Sequence, residues 1–322
     1  MAVYTDVSDE ELAGFIASYA IGALTSCKGI AEGVENSNYL VHTEAGRYIL
    51  TLYEKRVAPQ DLPYFLALME HLAARGITCP VPVHDREGRT LRELAGRPAA
   101  LITFLDGVSV RRPGIEHCAL LGEALGRFHL AGEGFPLKRA NSLSLSGWLP
   151  LNAAIGSGAD QIIAGLAQEI EQELDHLKHT WPAGLPAGVI HADLFPDNVF
   201  FLGPRLSGLI DFYFACNDML AYDVAVCLNA WCFEADASFN ITKARALLQA
   251  YEGVRPLSAS ELDALPTLAR GAAMRFLLTR SYDWLNTDAA ALVKPKHPSE
   301  YLRKLRFHQR VKSYRAYGLG EH

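Results

Sequence analysis

Four polar residues in one short stretch of the sequence could carry out chemistry together. His191, Asp193 and Asn198 follow one apolar run, and Asp211 follows another. Carboxylate and carboxamide oxygens with no cysteine beside them suit Mg²⁺ better than zinc. Magnesium binds few side chains and completes its shell with water and phosphate oxygens, as it does in phosphoryl transfer. The stretch therefore predicts a site for Mg²⁺ and phosphate.

The residues between these groups predict a β-hairpin that brings Asn198 and Asp211 to one end. Two apolar runs, 199–202 and 206–210, flank a turn with the sequence Gly-Pro-Arg. If residue 202 faces residue 206, Asn198 lies across from residue 210, and facing Cα atoms are about 4.5–5.5 Å apart in such pairs. His191 and Asp193 then lie just upstream, in a loop.

The first third of the sequence predicts a small antiparallel sheet with one packed helix. A capping-box pattern at Ser8 and Glu11 starts a short helix. Strand-like runs follow at 38–42, 48–53, 90–94 and 99–105, with an amphipathic helix over 62–73 between the second and third.

Beyond residue 105 the pattern becomes mostly helical, apart from the strand-rich stretch around Asp193. Apolar residues recur with helical spacing near 115–128, 163–177 and 242–251, in a long segment from Ser258, and again from Ser299. We therefore expect an α+β protein with a small lobe over 1–105 and a larger, mostly helical lobe over 106–322.

Composition narrows the class of protein. The 322 residues carry 30 Lys and Arg against 36 Asp and Glu, so the net charge of −6 does not favour a nucleic-acid partner. No run approaches the roughly 18 apolar residues of a membrane span, and no signal peptide is evident, so we expect no membrane partner. The six cysteines are scattered, as expected for free thiols in the cytoplasm. The oligomeric state cannot be predicted.

The motif His191-x-Asp193-x-x-x-x-Asn198, followed by Ile210-Asp211-Phe212, resembles that of the aminoglycoside-phosphotransferase-like kinases, which share the two-lobed protein-kinase-like fold. The predicted order of the elements agrees with that fold along nearly the whole chain. Longer strings resemble the bacterial homoserine kinases of this fold, among them Phe212-Tyr213-Phe214-Ala215-Cys216-Asn217-Asp218, Tyr222-Asp223-Val224-Ala225 and Asn229-Ala230-Trp231-Cys232. The resemblance implies transfer of phosphate from ATP, with Mg²⁺, to the hydroxyl of L-homoserine, a step of threonine biosynthesis.

The resemblance also implies roles for individual residues. In the catalytic loop, Asp193 accepts or orients the proton of the substrate hydroxyl, and His191 braces the loop by hydrogen bonding. Asn198 and Asp211 hold the Mg²⁺ that bridges the ATP phosphates. Asp223 is expected to brace the loop rather than to contact a ligand.

The predicted nucleotide contacts lie in the small lobe. The phosphate-covering hairpin is expected at Gly29, Gly33, Asn36, Ser37 and Asn38, and the hinge that meets adenine at Thr103, Phe104 and Leu105.

One position departs from the family pattern. The strand that usually carries a Lys or Arg for the α- and β-phosphates has Thr51 at the matching place. The following helix offers Tyr64 and Phe65 where the acidic partner of that cation is expected. Losing both partners together is consistent, because an unpaired buried Glu would be costly. Which cation replaces the missing one stays open.

The substrate contacts follow from the chemistry of homoserine. Its carboxylate favours an Arg, for which we select Arg280, and its ammonium favours an acid, for which Asp197 and Asp218 are candidates. Two alternatives stay open. The acceptor could be an aminoglycoside, choline or another amino alcohol, or the protein could be a nucleotide-binding module without activity, as Thr51 would allow.

Overall fold

The structure is a computed structural model and describes residues 5–30, 36–54, 58–287 and 294–320. It divides into two compact units. One comprises Met1–Gly107, Phe135–Leu137 and Ser207–Tyr213, and the other comprises Val108–Gly134, Lys138–Leu206 and Phe214–His322.

The first unit is built around a five-stranded antiparallel sheet. The strands follow the order β1-β2-β3-β5-β4 across the sheet. Their bounds are β1 (Leu24–Gly29), β2 (Asn36–Thr43), β3 (Gly46–Tyr53), β4 (Arg92–Leu94) and β5 (Arg97–Thr103). The predicted hairpins are thus confirmed. Strand β1 was missed because Leu-Thr-Ser-Cys-Lys-Gly has no apolar alternation, in keeping with its largely exposed side chains.

Two helices belong to this unit, α1 (Asp9–Ala17) and α2 (Leu62–Ala74). The predicted capping box starts α1, since the Ser8 hydroxyl accepts from the backbone of Glu11 and the Glu11 carboxylate accepts from that of Ser8. Its buried face packs in one apolar core with strands β2, β3 and β5, through Leu12, Phe15, Ile16, Val41, Leu50, Leu52 and Leu101.

Helices dominate the second unit, as predicted. They are α3 (Ile115–Ala131), α4 (Leu145–Ile155), α5 (Ala159–Ile162), α6 (Leu166–Thr180), α7 (Leu220–Trp231), α8 (Ile241–Glu252), α9 (Ala259–Asn286) and α10 (Ser299–His308). Helix α7 was not predicted because nearly all of its residues are buried, so its sequence shows no polar face.

The close approach of α3 to α8 depends on a glycine. A Cβ on Gly122 would lie 2.0 Å from the backbone oxygen of Leu247, so no larger residue fits there without moving a helix. Helix α3 carries His129 and the neighbouring α7 carries Asp223, and both side chains are buried. The packing of α3, α7 and α8 thus supports the loop that contains Asp193.

The strands of the second unit flank that loop. Strand β7 (Ala187–Ile190) pairs antiparallel with β10 (Cys216–Met219). Strands β6 (Val108–Ser109), β8 (Val199–Leu202) and β9 (Arg205–Leu209) form a sheet in the order β6-β8-β9, and β9 continues into the first unit at Ser207. The β8–β9 turn contains Gly203 and Pro204 alone, so it is one residue shorter than predicted.

No helix within the described ranges is long and apolar enough to cross a bilayer.

Candidate active site

The loop of the second unit that carries Asp193 runs from the end of β7 into a short 3₁₀ helix, Pro196–Asn198. Two backbone bonds shape it, one from Phe195 N–H to the Asp193 carbonyl at 2.8 Å and one from Asn198 N–H to the Phe195 carbonyl at 2.9 Å. The Asp193 side chain is 18 % exposed. A carboxylate held on a tight, hydrogen-bonded turn and still open to solvent is suited to meet a ligand hydroxyl.

Residue Ala192, directly before Asp193, has a left-handed backbone with φ +65°. This conformation is unfavourable for an L-residue other than glycine, so the surroundings must hold it in place. The buried Asp223 carboxylate accepts the backbone N–H of His191 at 2.7 Å and that of Ala192 at 2.8 Å. These are the contacts that the predicted bracing role of Asp223 requires, and the role itself stays a prediction.

The Asp223 carboxylate keeps its charge in the interior. Burial alone would raise its pKa, but hydrogen bonds from His129 and from the backbone of His191 hold the pKa of Asp223 below its ordinary value. His129 Nε2 lies 3.2 Å from this carboxylate, and its Nδ1 lies 2.8 Å from the Tyr251 hydroxyl. Burial has the largest effect on His129 and lowers its pKa below the ordinary value, although the Asp223 carboxylate acts in the opposite direction.

His191 is fully buried beneath the loop. Its Nδ1 accepts the backbone N–H of Asp193 at 3.3 Å. This is the kind of contact that the predicted bracing role requires, and the role itself stays a prediction.

Asn198, at the end of this loop, is the first of the two predicted Mg²⁺ ligands. Its amide nitrogen donates to the Asp193 carbonyl at 2.8 Å and lies 3.2 Å from Asp193 Oδ2. Both contacts use the amide nitrogen, so neither of them occupies the Asn198 Oδ1 oxygen. A neutral, hard oxygen of this kind fits Mg²⁺. No group of three or more His, Cys, Asp or Glu side chains suited to a metal occurs in the described parts of the chain.

In the first unit, Asp211 follows the end of β9 and has a left-handed backbone with φ +64°. It is followed by the buried Phe212 and by Tyr213, whose ring lies 5.5 Å from that of Tyr53 and 5.7 Å from that of Phe65. Aromatic packing thus anchors the segment that carries Asp211.

Thr51 lies in the middle of β3 and is only 2 % exposed. Its hydroxyl donates to Asn38 Oδ1 at 2.8 Å, and the two residues face each other across β2 and β3. Tyr64 and Phe65, on α2, are also buried. A neutral hydrogen bond and aromatic rings therefore occupy the places where the family pattern has a cation and its acidic partner.

The other predicted nucleotide residues have these places in the first unit. Ser37 donates to Glu54 at 2.8 Å, and Asn36 accepts the backbone N–H of Glu54 at 3.3 Å. Gly29 ends β1, and Gly33 lies outside the described residues. These nucleotide contacts stay predictions.

The predicted hinge lies at the end of β5, which ends at Thr103. The Thr103 hydroxyl accepts the backbone N–H of Val81 at 2.9 Å. Beyond it, the Arg47 guanidinium covers the Phe104 ring at 4.5 Å and pairs with Asp106 at 2.9 Å. Leu105 follows, outside the strand. The hinge is therefore ordered by contacts within its own unit.

Arg280, the predicted carboxylate ligand, lies on α9 and is 12 % exposed at its side chain. It forms an ion pair with Glu300 at 2.6 Å, which Lys304 also contacts at 2.6 Å. Burial alone would raise the pKa of Glu300, but Lys304 and Arg280 lower it to about 2. Two cations share one carboxylate, which leaves the cluster a net positive charge for an anionic ligand.

The two acids proposed for the ammonium differ in their surroundings. Asp197 is 72 % exposed at its side chain and lies 3.9 Å from Lys296. Asp218 is half-buried and accepts from Asn141 at 2.7 Å and from the backbone N–H of Met219 at 2.7 Å. Asp197 is thus the freer of the two to rearrange around a ligand.

Sequence reasoning missed Arg275, on α9, whose Nη1 donates to the Ala192 carbonyl. The signal was present, since Arg275 is a charged residue inside the apolar run Ala272-Ala273-Met274-Arg275-Phe276-Leu277-Leu278. A charge in such a run is buried only when it has a partner.

The chain is similar to known proteins over most of its length. Residues 26–257 match the model of the phosphotransferase enzyme family. The homoserine kinase of Xanthobacter autotrophicus is 66 % identical over 319 residues, covering 99 % of each chain. That of Paramagnetospirillum magneticum is 63 % identical over 325 residues, covering 99 % of this chain and 100 % of the relative.

Solved structures show the same fold at low sequence identity. An amicoumacin kinase in complex with AMP-PNP and Ca²⁺ matches with a TM-score of 0.71 at 18 % identity, covering 94 % of this chain and 92 % of its own. A microcompartment-associated aminopropanol kinase matches with a TM-score of 0.70 at 17 % identity, covering 94 % and 97 %. The predicted fold is thereby confirmed.

Proposed function

From the premise that the chain belongs to the phosphotransferase enzyme family, and within it to the homoserine kinases, we propose that it transfers the γ-phosphate of ATP to the hydroxyl of L-homoserine. The products are O-phospho-L-homoserine, an intermediate of threonine biosynthesis, and ADP. The observation that carries the proposal is identity of 63–66 % to homoserine kinases along nearly the whole chain. The six free cysteines agree with a cytoplasmic location for this reaction.

The reaction needs a group that orients the acceptor hydroxyl. We assign this to the Asp193 carboxylate, which is solvent-accessible and held on its turn. As the hydroxyl oxygen bonds to the γ-phosphorus, the bond from phosphorus to the β,γ-bridging oxygen breaks and ADP leaves. The hydroxyl proton passes to Asp193 and from there to solvent.

We assign the neutralisation of the phosphate charge to Mg²⁺ held by Asn198 and Asp211. The Asn198 Oδ1 oxygen fits this role because its amide nitrogen is engaged with Asp193. When bound, the ion neutralises charge on the transferred phosphoryl group. The chain's own part is to present these two oxygen ligands from backbones that are fixed by local contacts.

We assign the specificity for homoserine to charged side chains that match its carboxylate and its ammonium group. Its carboxylate is placed at Arg280, whose cluster carries one more positive than negative charge in Arg280, Lys304 and Glu300. Its ammonium is placed at Asp197 or Asp218. An aminoglycoside, which is a polycation, would be repelled by the first of these subsites.

The proposal is tested with purified protein in a coupled ADP-release assay against L-homoserine, L-serine, choline, ethanolamine and kanamycin. We expect Mg²⁺-dependent turnover with homoserine that exceeds turnover with the others by at least about tenfold in kcat/KM. Faster turnover with choline or kanamycin would refute homoserine as the acceptor. Binding of ATP with no turnover on any acceptor would establish a non-catalytic module.

A further inference from the structure

The guanidinium of Arg275 is the feature of the second unit that the proposed reaction does not yet explain. Arg275 lies in the middle of α9 and is 1 % exposed. Its Nε has no hydrogen-bond partner among the described residues. Because an incompletely paired buried cation destabilises a fold, the contacts that this one does make need an explanation.

Two of those contacts reach the loop that carries Asp193. Arg275 Nη1 donates to the Ala192 carbonyl, and Nη2 lies 3.9 Å from Asp193 Oδ1. The Asp193 carboxylate thus lies within 4.0 Å of this guanidinium. The cation therefore faces the residue that receives the hydroxyl proton.

Aromatic rings separate this guanidinium from solvent. Its carbon lies 4.6 Å from the centre of the Phe276 ring and 5.5 Å from that of Phe214. In such surroundings an electrostatic contact is stronger than in water, and the side chain has few alternative orientations. The contacts of Arg275 with the loop are thus well suited to fix the loop's geometry.

The backbone of Ala192 is where this geometry matters. Its N–H donates to the Asp223 carboxylate from α7, and its carbonyl accepts from Arg275 on α9. Two buried groups of opposite charge thus hold the two ends of one residue with φ +65°. Release of either end would let this residue return to an ordinary conformation and would turn Asp193.

We propose that Arg275 is a positioning residue for phosphoryl transfer. By binding the Ala192 carbonyl and facing the Asp193 carboxylate, it holds the left-handed backbone that directs Asp193 toward the acceptor hydroxyl. This inference rests on the proposed function, since it assigns Arg275 a part in the same step. It differs from substrate binding in that Arg275 acts through the loop.

The first test compares Arg275→Met and Arg275→Lys with Arg270→Met. Arg270 is a matched control because it also lies on α9, is largely buried, and forms an ion pair with Glu173 at 2.6 Å away from the loop. We expect Arg275→Met to lower kcat about 100-fold, since small displacements of a reacting group have effects of this size. Both KM values should stay within about threefold of the wild type.

Arg275→Lys keeps the buried charge but has fewer donors, so we expect an intermediate loss of roughly tenfold in kcat. Arg270→Met should leave kcat and both KM values near those of the wild type, whatever its effect on thermal stability. An increase in KM for the acceptor at unchanged kcat in Arg275→Met would overturn the proposal, because it would make Arg275 a substrate ligand.

The second test asks whether the backbone of Ala192 carries the effect. Glycine adopts positive φ without strain, so Ala192→Gly added to an Arg275 variant should restore roughly tenfold in kcat, with Ala192→Gly alone as the reference. Equal kcat with and without the glycine would overturn the proposal. If Arg275→Met does not fold, the Arg275→Lys background gives the same comparison.

All ratios are measured on the acceptor that the wild type uses fastest. A wild type that prefers another acceptor would refute homoserine as the substrate, yet the Arg275 ratios would still support or overturn the positioning role.

Discussion

The two compact units hold their predicted site residues by different means. In the second unit, the loop with Asp193 is held by buried charged side chains, Asp223 from below and Arg275 from α9. In the first unit, the neutral pair of Thr51 and Asn38 occupies the position of the family's cation. Aromatic contacts to Tyr213 anchor the segment that carries Asp211.

This difference follows from what each unit must do. A group that receives a proton must be aimed, and directional bonds to charged partners aim it better than apolar packing does. A buried pair of charges that is lost together can be replaced by packed uncharged residues at little or no cost in stability. In the second unit, the buried charges are retained because the geometry of the Asp193 loop depends on them. In the first unit, uncharged residues replace the ion pair of the family pattern.

The largest expected effect is that of Asp193→Asn. The amide cannot accept the hydroxyl proton, so kcat should fall by about 10³-fold, with KM for ATP nearly unchanged. ADP release measures kcat, and thermal unfolding checks that the fold is intact. Asp175→Asn is the control, since the Asp175 side chain is 74 % exposed on α6. Turnover close to that of the wild type in Asp193→Asn would remove the basis of the comparison.

The next effect tests the charge that the first unit does contribute, that of Asp211. Asp211→Asn should lower kcat on the order of 100-fold and raise the Mg²⁺ concentration for half-maximal activity, because the ion loses an anionic ligand. A Mg²⁺ titration of activity measures both. The exposed Asp9, at the start of α1, provides the control Asp9→Asn. An unchanged titration in Asp211→Asn would contradict its role.

The extent to which these residues could be found from sequence follows the same division. Asp193 and Asn198 are close in sequence, so their spacing alone indicated a shared site, and Asp223 lay in a motif of its own. Arg275 is 83 positions from Ala192, and such a contact depends on how α9 packs. From the sequence it could be seen only that the cation of the family pattern is missing at Thr51. The hydrogen bond to Asn38 could not be predicted, because it depends on the register between β2 and β3.

A third prediction concerns Arg280 and tests whether this charged residue of the second unit binds the substrate. Arg280→Met should raise KM for homoserine by roughly tenfold with little change in kcat, as expected for the loss of one charged contact to substrate. Arg306→Met is the matched control, because Arg306 pairs with Glu169 at 2.7 Å on the surface. If both variants behave alike, Arg280 only joins helices α9 and α10.

A fourth prediction concerns a substitution that restores the missing cation to the first unit. In Thr51→Lys, an ammonium would enter a position that is 2 % exposed and has the neutral Asn38 side chain as its neighbour rather than an acid. We expect the apparent Tm to fall by roughly 5 °C and KM for ATP not to improve. Thr51→Val, which loses only the bond to Asn38, should cost about 1 kcal/mol. Tighter ATP binding at unchanged Tm in Thr51→Lys would show that the unit still accommodates a cation at this position.

The smallest effect concerns stability alone and compares a histidine from each unit. Burial, with Lys304 and Arg270 nearby, lowers the pKa of His308 to about 3, whereas hydrogen bonds to the Gly88 carbonyl and Glu70 raise the pKa of the exposed His84. The unfolded chain therefore takes up a proton at residue 308 that the folded chain does not. The stability that His308 contributes is complete above its ordinary pKa of 6.5 and declines as the pH falls toward 3.

The slope due to His308 should be about 1.4 kcal/mol per pH unit below pH 6.5, and His308→Asn should remove it. The sign is opposite for His84, whose contribution is fully present below pH 6.5 and declines as the pH rises above it, so His84→Gln should change the pH dependence of stability above pH 6.5 and leave the acid slope as it is. Urea unfolding at pH 7.5, 6.0 and 5.0 measures these slopes. An acid slope in His308→Asn equal to that of the wild type would mean that other groups set the acid stability of the second unit. Because the His308 ring on α10 contacts Tyr317 and Phe233, we expect kcat at pH 7.5 to be unaffected. This result would separate the stability role of buried histidines from the positioning role of buried charges.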